Sequence, residues 1–354
     1  MDYKRITDIM NNNDIDMIIV NNQSNVRYIS GYTGDTGIII LLNDKKYLVT
    51  DFRYLFQAKA EAKDYTVIET KNKTYAKIIS EIALENGINN IGFENKKISY
   101  SFYNSISKEL EGCNLCPLDL QLDSLRNIKT SYEIEQLKQA EHIADIAFSK
   151  VLGIIKPGVT ELDVAAELEY IMKKNGGTGL SFDTIVASGI NSSKPHAGVS
   201  SKKIENGDFV TMDYGCIYNG YHSDTTRTIV VGKANEEQKK VYNTVLKAQL
   251  EVLSMVKAGY TGEYVDNVAR TIINEAGYEG CFGHGLGHSV GLDIHEEPRF
   301  SPSEKNIVPE GVVITVEPGI YIENFGGVRI EDMILVTKDG HVNFTESSKE
   351  LIEI

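Results

Sequence analysis

The first 125 residues alternate short apolar runs with amphipathic stretches. Asp16–Val20, Gly37–Leu42, Lys46–Thr50, Tyr65–Ile68 and Asn90–Phe93 are apolar runs of strand length between polar or glycine-containing segments, and they predict strands. Phe52–Lys63, Thr74–Asn86 and Ser99–Glu111 space their apolar residues three and four apart and predict helices, with Gly87 and Gly112 stopping the last two. The pattern is that of a small α/β domain over residues 1–125. Pro117 to Thr130 reads as a connector. Ser131 then opens a long helix to about Ile155, apolar at Ile134, Leu137, Ala140, Ile143, Ala147, Val151 and Ile154. Ser131 is its expected cap, Glu133 and Glu135 its acidic first turn, and Pro157-Gly158 its end. A second domain spans residues 126–354.

That second domain repeats itself. Lys156-Pro-Gly158-Val-Thr160 precedes an amphipathic stretch, Glu161 to Asn175, that ends at Gly176. Lys257-Ala-Gly259-Tyr-Thr261 precedes another, Gly262 to Ala276, that ends at Gly277, an offset of 101 residues throughout. Thr160 and Thr261 are the expected helix caps. Gly207-Asp-Phe-Val-Thr-Met-Asp213-Tyr-Gly215 aligns without a gap to Gly311-Val-Val-Ile-Thr-Val-Glu317-Pro-Gly319, at an offset of 104. Four anchors at nearly one offset predict two copies of a helix-plus-hairpin unit related by a pseudo-twofold.

Each copy places carboxylates on its hairpin. The first runs from Phe209 to Val231 and turns at Asn219-Gly220, a strong hairpin signal. Folding there sets Asp213 opposite Thr226, with Asp224 on the same face. The second runs from Val312 to Val336, turns over Glu323–Gly327, and carries Glu317 and Glu331. Like charges on buried ribbons repel and lose hydration, and a cation removes both penalties. Four carboxylates in one pocket match two divalent cations.

Composition sharpens this picture without replacing it. The 354 residues carry 50 Asp and Glu against 36 Lys and Arg, a formal net charge of −14, which argues against binding nucleic acid or an anionic membrane surface. No run of about 18 apolar residues predicts a transmembrane helix, and Met1–Val20 lacks a secretory apolar core. Four cysteines in a chain this long fit a reducing, cytoplasmic compartment. Cys113 and Cys116 form a CxxC with no second pair to complete a zinc site. Five of the seven histidines, His196, His222, His284, His288 and His295, lie between the hairpins or beside the first, whereas His142 and His341 read as surface residues. Gly283-His-Gly-Leu-Gly-His288 allows close backbone approach to a metal, and imidazole beside carboxylate suits Mn, Co, Zn or Fe. The glycine spacing is not that of a dinucleotide loop, and His284-x-x-x-His288 lacks the glutamate of a zincin. His222 is read evenly as a support for the site or an exposed residue.

At these residues the chain resembles the pita-bread metallopeptidases, which include methionine aminopeptidase, aminopeptidase P and prolidase. The matching stretches, in family order, are Met212-Asp-Tyr-Gly215, His222-Ser-Asp-Thr-Thr-Arg227, Gly283-His-Gly-Leu-Gly-His288, Gly291-Leu-Asp-Ile-His295, Thr315-Val-Glu-Pro-Gly319 and Gly327-Val-Arg-Ile-Glu331. The N-terminal part resembles the creatinase/prolidase N-terminal domain at Tyr28-Ile-Ser-Gly31, Tyr32-Thr-Gly34 and Val49-Thr-Asp-Phe-Arg-Tyr54. The resemblance implies Asp213, Asp224, His288, Glu317 and Glu331 as ligands of two divalent ions, with Asp224 and Glu331 bridging. Manganese is the first choice of metal, with cobalt, zinc or iron as alternatives. It implies His196, His284, His295 and Arg329 as substrate-binding residues. Glu317, with His196 and His295, is assigned to catalysis, Glu317 as the proton shuttle for a hydroxide bridging the metals. The N-terminal domain favours the Xaa-Pro branch. The expected activity is an Xaa-Pro aminopeptidase acting on short peptides with proline second. The alternatives are an Xaa-Pro dipeptidase and, more remotely, a non-enzymatic binding protein on the same fold. Family habit implies a homodimer.

Overall fold

The computed structural model describes residues 3–354, and the chain divides into two compact units after Arg126. The N-terminal unit is built on six strands in the order Thr66–Glu69, Lys46–Thr50, Ile38–Leu42, Met17–Val20, Asn90–Phe93 and Asn114–Pro117. Helices cover both faces of such a sheet, so its strands read as unbroken apolar runs. Alternation sorts those runs into two cores. Ile18, Val20, Ile39 and Leu41 pack with Ile6, Met10 and Val26, while Met17, Ile19, Ile38 and Ile40 pack with Ile79, Ile82 and Ile106. A one-residue slip would exchange the two sets.

All five predicted strands form, with ends within one residue. Thr74 and Ser99 cap helices Tyr75–Glu85 and Tyr100–Glu109, accepting from Lys77 N and Phe102 N. The predicted helix Phe52–Lys63 starts differently. Asp51 caps a single tight turn, Phe52–Tyr54, and the α-helix runs only from Leu55 to Glu61. Helices Lys4–Asn12 and Gln23–Ser30 and the edge strand Asn114–Pro117 lie outside the predicted elements. That strand has polar Asn114 at one end and Pro117 at the other, which disguises it as connector. Cys113 and Cys116 flank and enter it as free thiols.

In the C-terminal unit the long helix is Ser131–Val151, capped by Thr130 and not by Ser131. Thr130 is still extended, and it exchanges hydrogen bonds with Glu133 in a capping box. Helices Ser131–Val151 and Glu161–Lys174 share a core with the sheet Thr225–Val230, Phe209–Tyr214, Ile185–Ser188. Helices Glu236–Met255 and Gly262–Ile273 share another with Val313–Val316 and Asp332–Val336. Helix Glu236–Met255, capped by Asn235, lies outside the predicted elements.

The repeat is carried in backbone geometry. Thr160 and Thr261 both cap their helices. Gly158 and Gly259 have φ of +94° and +98°, and Gly207 and Gly311 have +93° and +89°. Gly158 N donates to Ile204 O and Gly259 N to Val308 O, at 2.9 and 3.1 Å. Bridges Thr160–Lys203 and Thr261–Ile307 close the two copies in the same way.

Both hairpins break where their carboxylates lie. In the first, Thr226 faces Asp213 as predicted, but pairing stops at Thr225–Tyr214. A Cβ on Gly215 would stand 2.0 Å from Ser223 O, so only glycine permits the crossing there, and Asp224 sits at the bend. In the second, Val313–Val316 pairs with Asp332–Val336 and Gly319–Ile322 with Gly326–Arg329, leaving Glu317 and Glu331 at the break.

Candidate active site

The two breaks meet. Glu331 N donates to Thr226 O at 3.1 Å, and Thr228 Oγ1 donates to Arg329 O at 3.0 Å, so the hairpins are joined beside the carboxylates. His288 enters from strand Gly287–Ser289. Its neighbour Gly287 lies against Thr315, where a Cβ would come within 2.0 Å of the carbonyl oxygen. His288 Nδ1 faces Ser289 O at 3.2 Å, which places a proton on Nδ1 and turns Nε2 to the carboxylates. Nε2 is 3.3 Å from Asp224 and 3.6 Å from Glu317. Ligand atoms of Asp224, His288 and Glu331 all lie within 4.8 Å of one another.

All nine residues singled out in the sequence, Asp213, Asp224, His288, Glu317, Glu331, His196, His284, His295 and Arg329, line one cleft of 910 Å³. His222 is not in its lining, and its Nδ1 is buried with no hydrogen-bond partner among the described residues. His142 is exposed, but His341 is only half exposed.

Without a cation the cleft is electrostatically frustrated. Burial, with Asp224 adding to it against the pull of Arg329, pushes Asp213 up to about 6. Burial likewise pushes Glu317 up to about 7, opposed by His288 and assisted by Asp224. Glu331 is driven well above the carboxylate range by burial and by Asp224, Glu317 and Asp213. His288, which burial alone would lower, is raised to about 9 by its hydrogen bond to Asp224 and the charge of Glu317. Burial and mutual repulsion thus disfavour the ionised carboxylates, a penalty a cation relieves, and Asp213 Oδ1 is buried with no partner among the described residues. A set of four carboxylates and one imidazole is a hard, oxygen-rich donor set suited to divalent ions.

Behind this set runs a hydrogen-bond chain that the sequence did not reveal. Arg329 Nη2 donates to Asp213 Oδ2 at 2.6 Å and its Nε to Thr226 Oγ1 at 3.0 Å, while Thr226 Oγ1 donates to Glu331 Oε2 at 2.6 Å. Arg329 Nη1 donates to Tyr321 OH at 2.7 Å. His284 Nδ1 faces Gly285 O at 2.8 Å and so carries the proton, leaving Nε2 to accept from Tyr321 OH at 2.9 Å. Burial, opposed by the Gly285 contact, lowers His284 to about 4 and keeps it neutral. Both its ring nitrogens are engaged, so the structure gives His284 the geometry of a prop for Tyr321 and not of a free substrate contact. Gly319, two residues before Tyr321 on the same strand face, was the available cue: a Cβ there would stand 2.5 Å from the tyrosine oxygen.

Residues 135–338 match Metallopeptidase family M24, and residues 3–128 match the Creatinase/Prolidase N-terminal domain. The chain belongs to metallopeptidase family M24. The metallopeptidase is 41% identical to an Xaa-Pro dipeptidase of Pyrococcus horikoshii over 351 residues, 99% of this chain and 98% of that one. It superposes on an Xaa-Pro dipeptidase from Bacillus anthracis with a TM-score of 0.96 at 42% identity, covering 99% and 98% of the two chains. For an X-Pro aminopeptidase from Thermotoga maritima the values are 0.91 and 37%, covering 98% and 100%. The metallopeptidase is therefore a hydrolase with a creatinase-like N-terminal domain and a C-terminal pita-bread catalytic domain, and its family implies divalent metal ions. Among the described residues no helix is long and apolar enough to cross a membrane.

Proposed function

We propose that the metallopeptidase is an Xaa-Pro aminopeptidase, removing the residue that precedes proline from short peptides. The observation that carries this reading is the convergence of five metal-ligating side chains, two histidines and a buried arginine on one cleft. Its volume of about 910 Å³ is toward the upper end of the roughly 300–1,000 Å³ usual for a ligand pocket, which supports a peptide-sized substrate. Asp213, Asp224, His288, Glu317 and Glu331 would hold two divalent ions, manganese foremost. When bound, such ions activate water and polarise a carbonyl.

The chain's own residues do the rest. His295 is lowered to about 4 by burial and by the charge of His288, so at neutral pH it is an uncharged imidazole facing the cleft. His196 is exposed and lines the same cleft. The two position the scissile carbonyl between them. Glu317 is held by Thr315 Oγ1 at 3.2 Å and takes a proton from the water whose oxygen bonds to the carbonyl carbon. It returns that proton to the proline nitrogen as the C–N bond breaks. The nitrogen before cleavage carries no hydrogen, so recognition rests on the carbonyl and the ring.

The Mn-loaded enzyme is expected to cleave Xaa-Pro-Xaa with a higher kcat/KM than Xaa-Pro and to leave Xaa-Ala-Xaa intact. Cleavage of the dipeptide alone would establish the dipeptidase reading, which the names of the Pyrococcus and Bacillus proteins favour. Metal binding without hydrolysis of any of these peptides would establish a binding protein. We also assign it a homodimeric state and a reducing, cytoplasmic compartment, supported by the 70% and 80% exposed Phe52 and Phe56 and by four free cysteines. Light scattering should then give twice the 39.3 kDa chain mass, and a monomer would refute the dimer.

A further inference from the structure

Glu161 is fully buried at the start of helix Glu161–Lys174, outside the cleft lining and away from the ligand set. A buried carboxylate needs partners, and this one has them from both ends of a single loop. Oε1 accepts from Ser188 N at 2.7 Å, Ser188 Oγ at 2.8 Å and Asn191 Nδ2 at 3.1 Å. Oε2 accepts from Ser200 Oγ at 2.5 Å and Ser200 N at 3.2 Å. One side chain thus closes the loop between residues 188 and 200. That loop presents Pro195, His196, Ala197, Gly198 and Val199 to the cleft. Other contacts also reach the loop: Gly327 N donates to Ser192 Oγ at 2.8 Å, Arg329 Nη1 to Pro195 O at 3.4 Å, Lys202 Nζ to Ser188 Oγ at 3.0 Å, Asn191 Nδ2 to Ser200 Oγ at 3.5 Å and Leu162 N to Ser200 O at 3.2 Å. The exposed His196 side chain makes no hydrogen bond among the described residues and takes its place from the loop backbone.

We propose that Glu161 is a positioning residue for the reaction, a carboxylate clasp that fixes the loop carrying His196 against the cleft. The inference rests on the activity proposed above for its kinetic consequence, and on the loop geometry alone for its structural one. A glutamine cannot replace the clasp. It offers one acceptor oxygen where two are used, and its amide hydrogens would face either Ser188 N–H or Ser200 N–H.

The test is hydrogen exchange joined to a double-mutant cycle, both on the metal-loaded enzyme. In E161Q, amides within 188–200 are expected to exchange at least tenfold faster, with the metal content unchanged. Cleavage of Xaa-Pro-Xaa should fall roughly 10–100-fold in kcat/KM, the range for residues that orient others in a metal site. In an H196A background the same substitution should cost less than threefold, because the residue it serves is gone. Equal losses in both backgrounds, or unchanged protection of 188–200, would overturn the proposal. Should E161Q not fold, S200A removes one donor and leaves the carboxylate. It should show the same non-additivity with a smaller loss. If the wild type cleaves no proline peptide, the proposed activity fails, and the exchange result alone decides for or against the clasp.

Discussion

Replacing Glu331 with glutamine is expected to lower turnover at least roughly a thousandfold, since several kcal/mol of metal-supplied stabilisation disappear with one ligand. Elemental analysis should show fewer than two ions per chain. Stability should move the other way. In the metal-free protein Glu331 is crowded by Asp224, Glu317 and Asp213 at 2% exposure. A neutral amide keeps the hydrogen bond from Thr226 and removes the repulsion. The chelated E331Q variant should therefore melt above chelated wild type by roughly 5 °C, taking about 2–4 °C per kcal/mol for a domain of this size. The sign with pH follows from the raised carboxylates. Their contribution is complete below the unfolded values, 3.8 for Asp213 and 4.5 for Glu317, and is lost as pH rises through about 6 for Asp213 and about 7 for Glu317. Chelated wild type should lose melting temperature between pH 5 and 8, and E331Q should lose less. A flat curve for the chelated wild type would show that the carboxylates are not coupled in this way.

Arg227→Met should destabilise the catalytic unit by about 3–5 kcal/mol, the usual cost of stripping one partner from a buried ion pair. Arg227 is 1% exposed, and its Nη2 donates to Asp332 Oδ1 at 2.8 Å and to Ser347 O at 2.7 Å. Its Nη1 donates to Thr226 O at 2.9 Å and to Glu331 O at 2.5 Å. Methionine fills part of the space but withdraws a donor from each of these acceptors. Because one of them is the carbonyl of Glu331, metal affinity should fall with stability. The double variant R227M/D332N should lose less than the sum of the single losses. Asp332 keeps Lys349 Nζ and Asn343 Nδ2, both at 2.6 Å, so D332N alone also disturbs a second pair. Additive losses by chemical denaturation would separate the two residues energetically.

The sequence announced those features whose cause is local or periodic. The strands of the N-terminal unit were legible because both faces are buried. The repeat was legible because Gly158, Gly259, Gly207 and Gly311 each need a positive φ that marks the chain wherever it recurs. The pairing of Asp213 with Thr226 followed from one Asn-Gly turn. Illegible features depend on partners far along the chain. Thr226 holds Glu331 across 105 residues, Tyr321 props Arg329 through a hydroxyl no period announces, and Glu161 looks like any acidic first-turn residue until its loop folds over it. The cap moved from Ser131 to Thr130 because two adjacent hydroxyl residues compete, and the capping box with Glu133 decides between them. Strand Asn114–Pro117 was missed because an edge carries little apolar signal.

The division of the ligands between the two hairpins also sets a schedule. Asp213 and Asp224 leave the ribosome about a hundred residues ahead of Glu317 and Glu331. At about 5–20 residues per second that is roughly 5–20 s of synthesis. Through most of that interval the nascent chain holds two of the five ligands, until His288 adds a third. The full coordination set therefore exists only after Glu331 has emerged, so complete metal loading waits until the first hairpin has stood for some seconds.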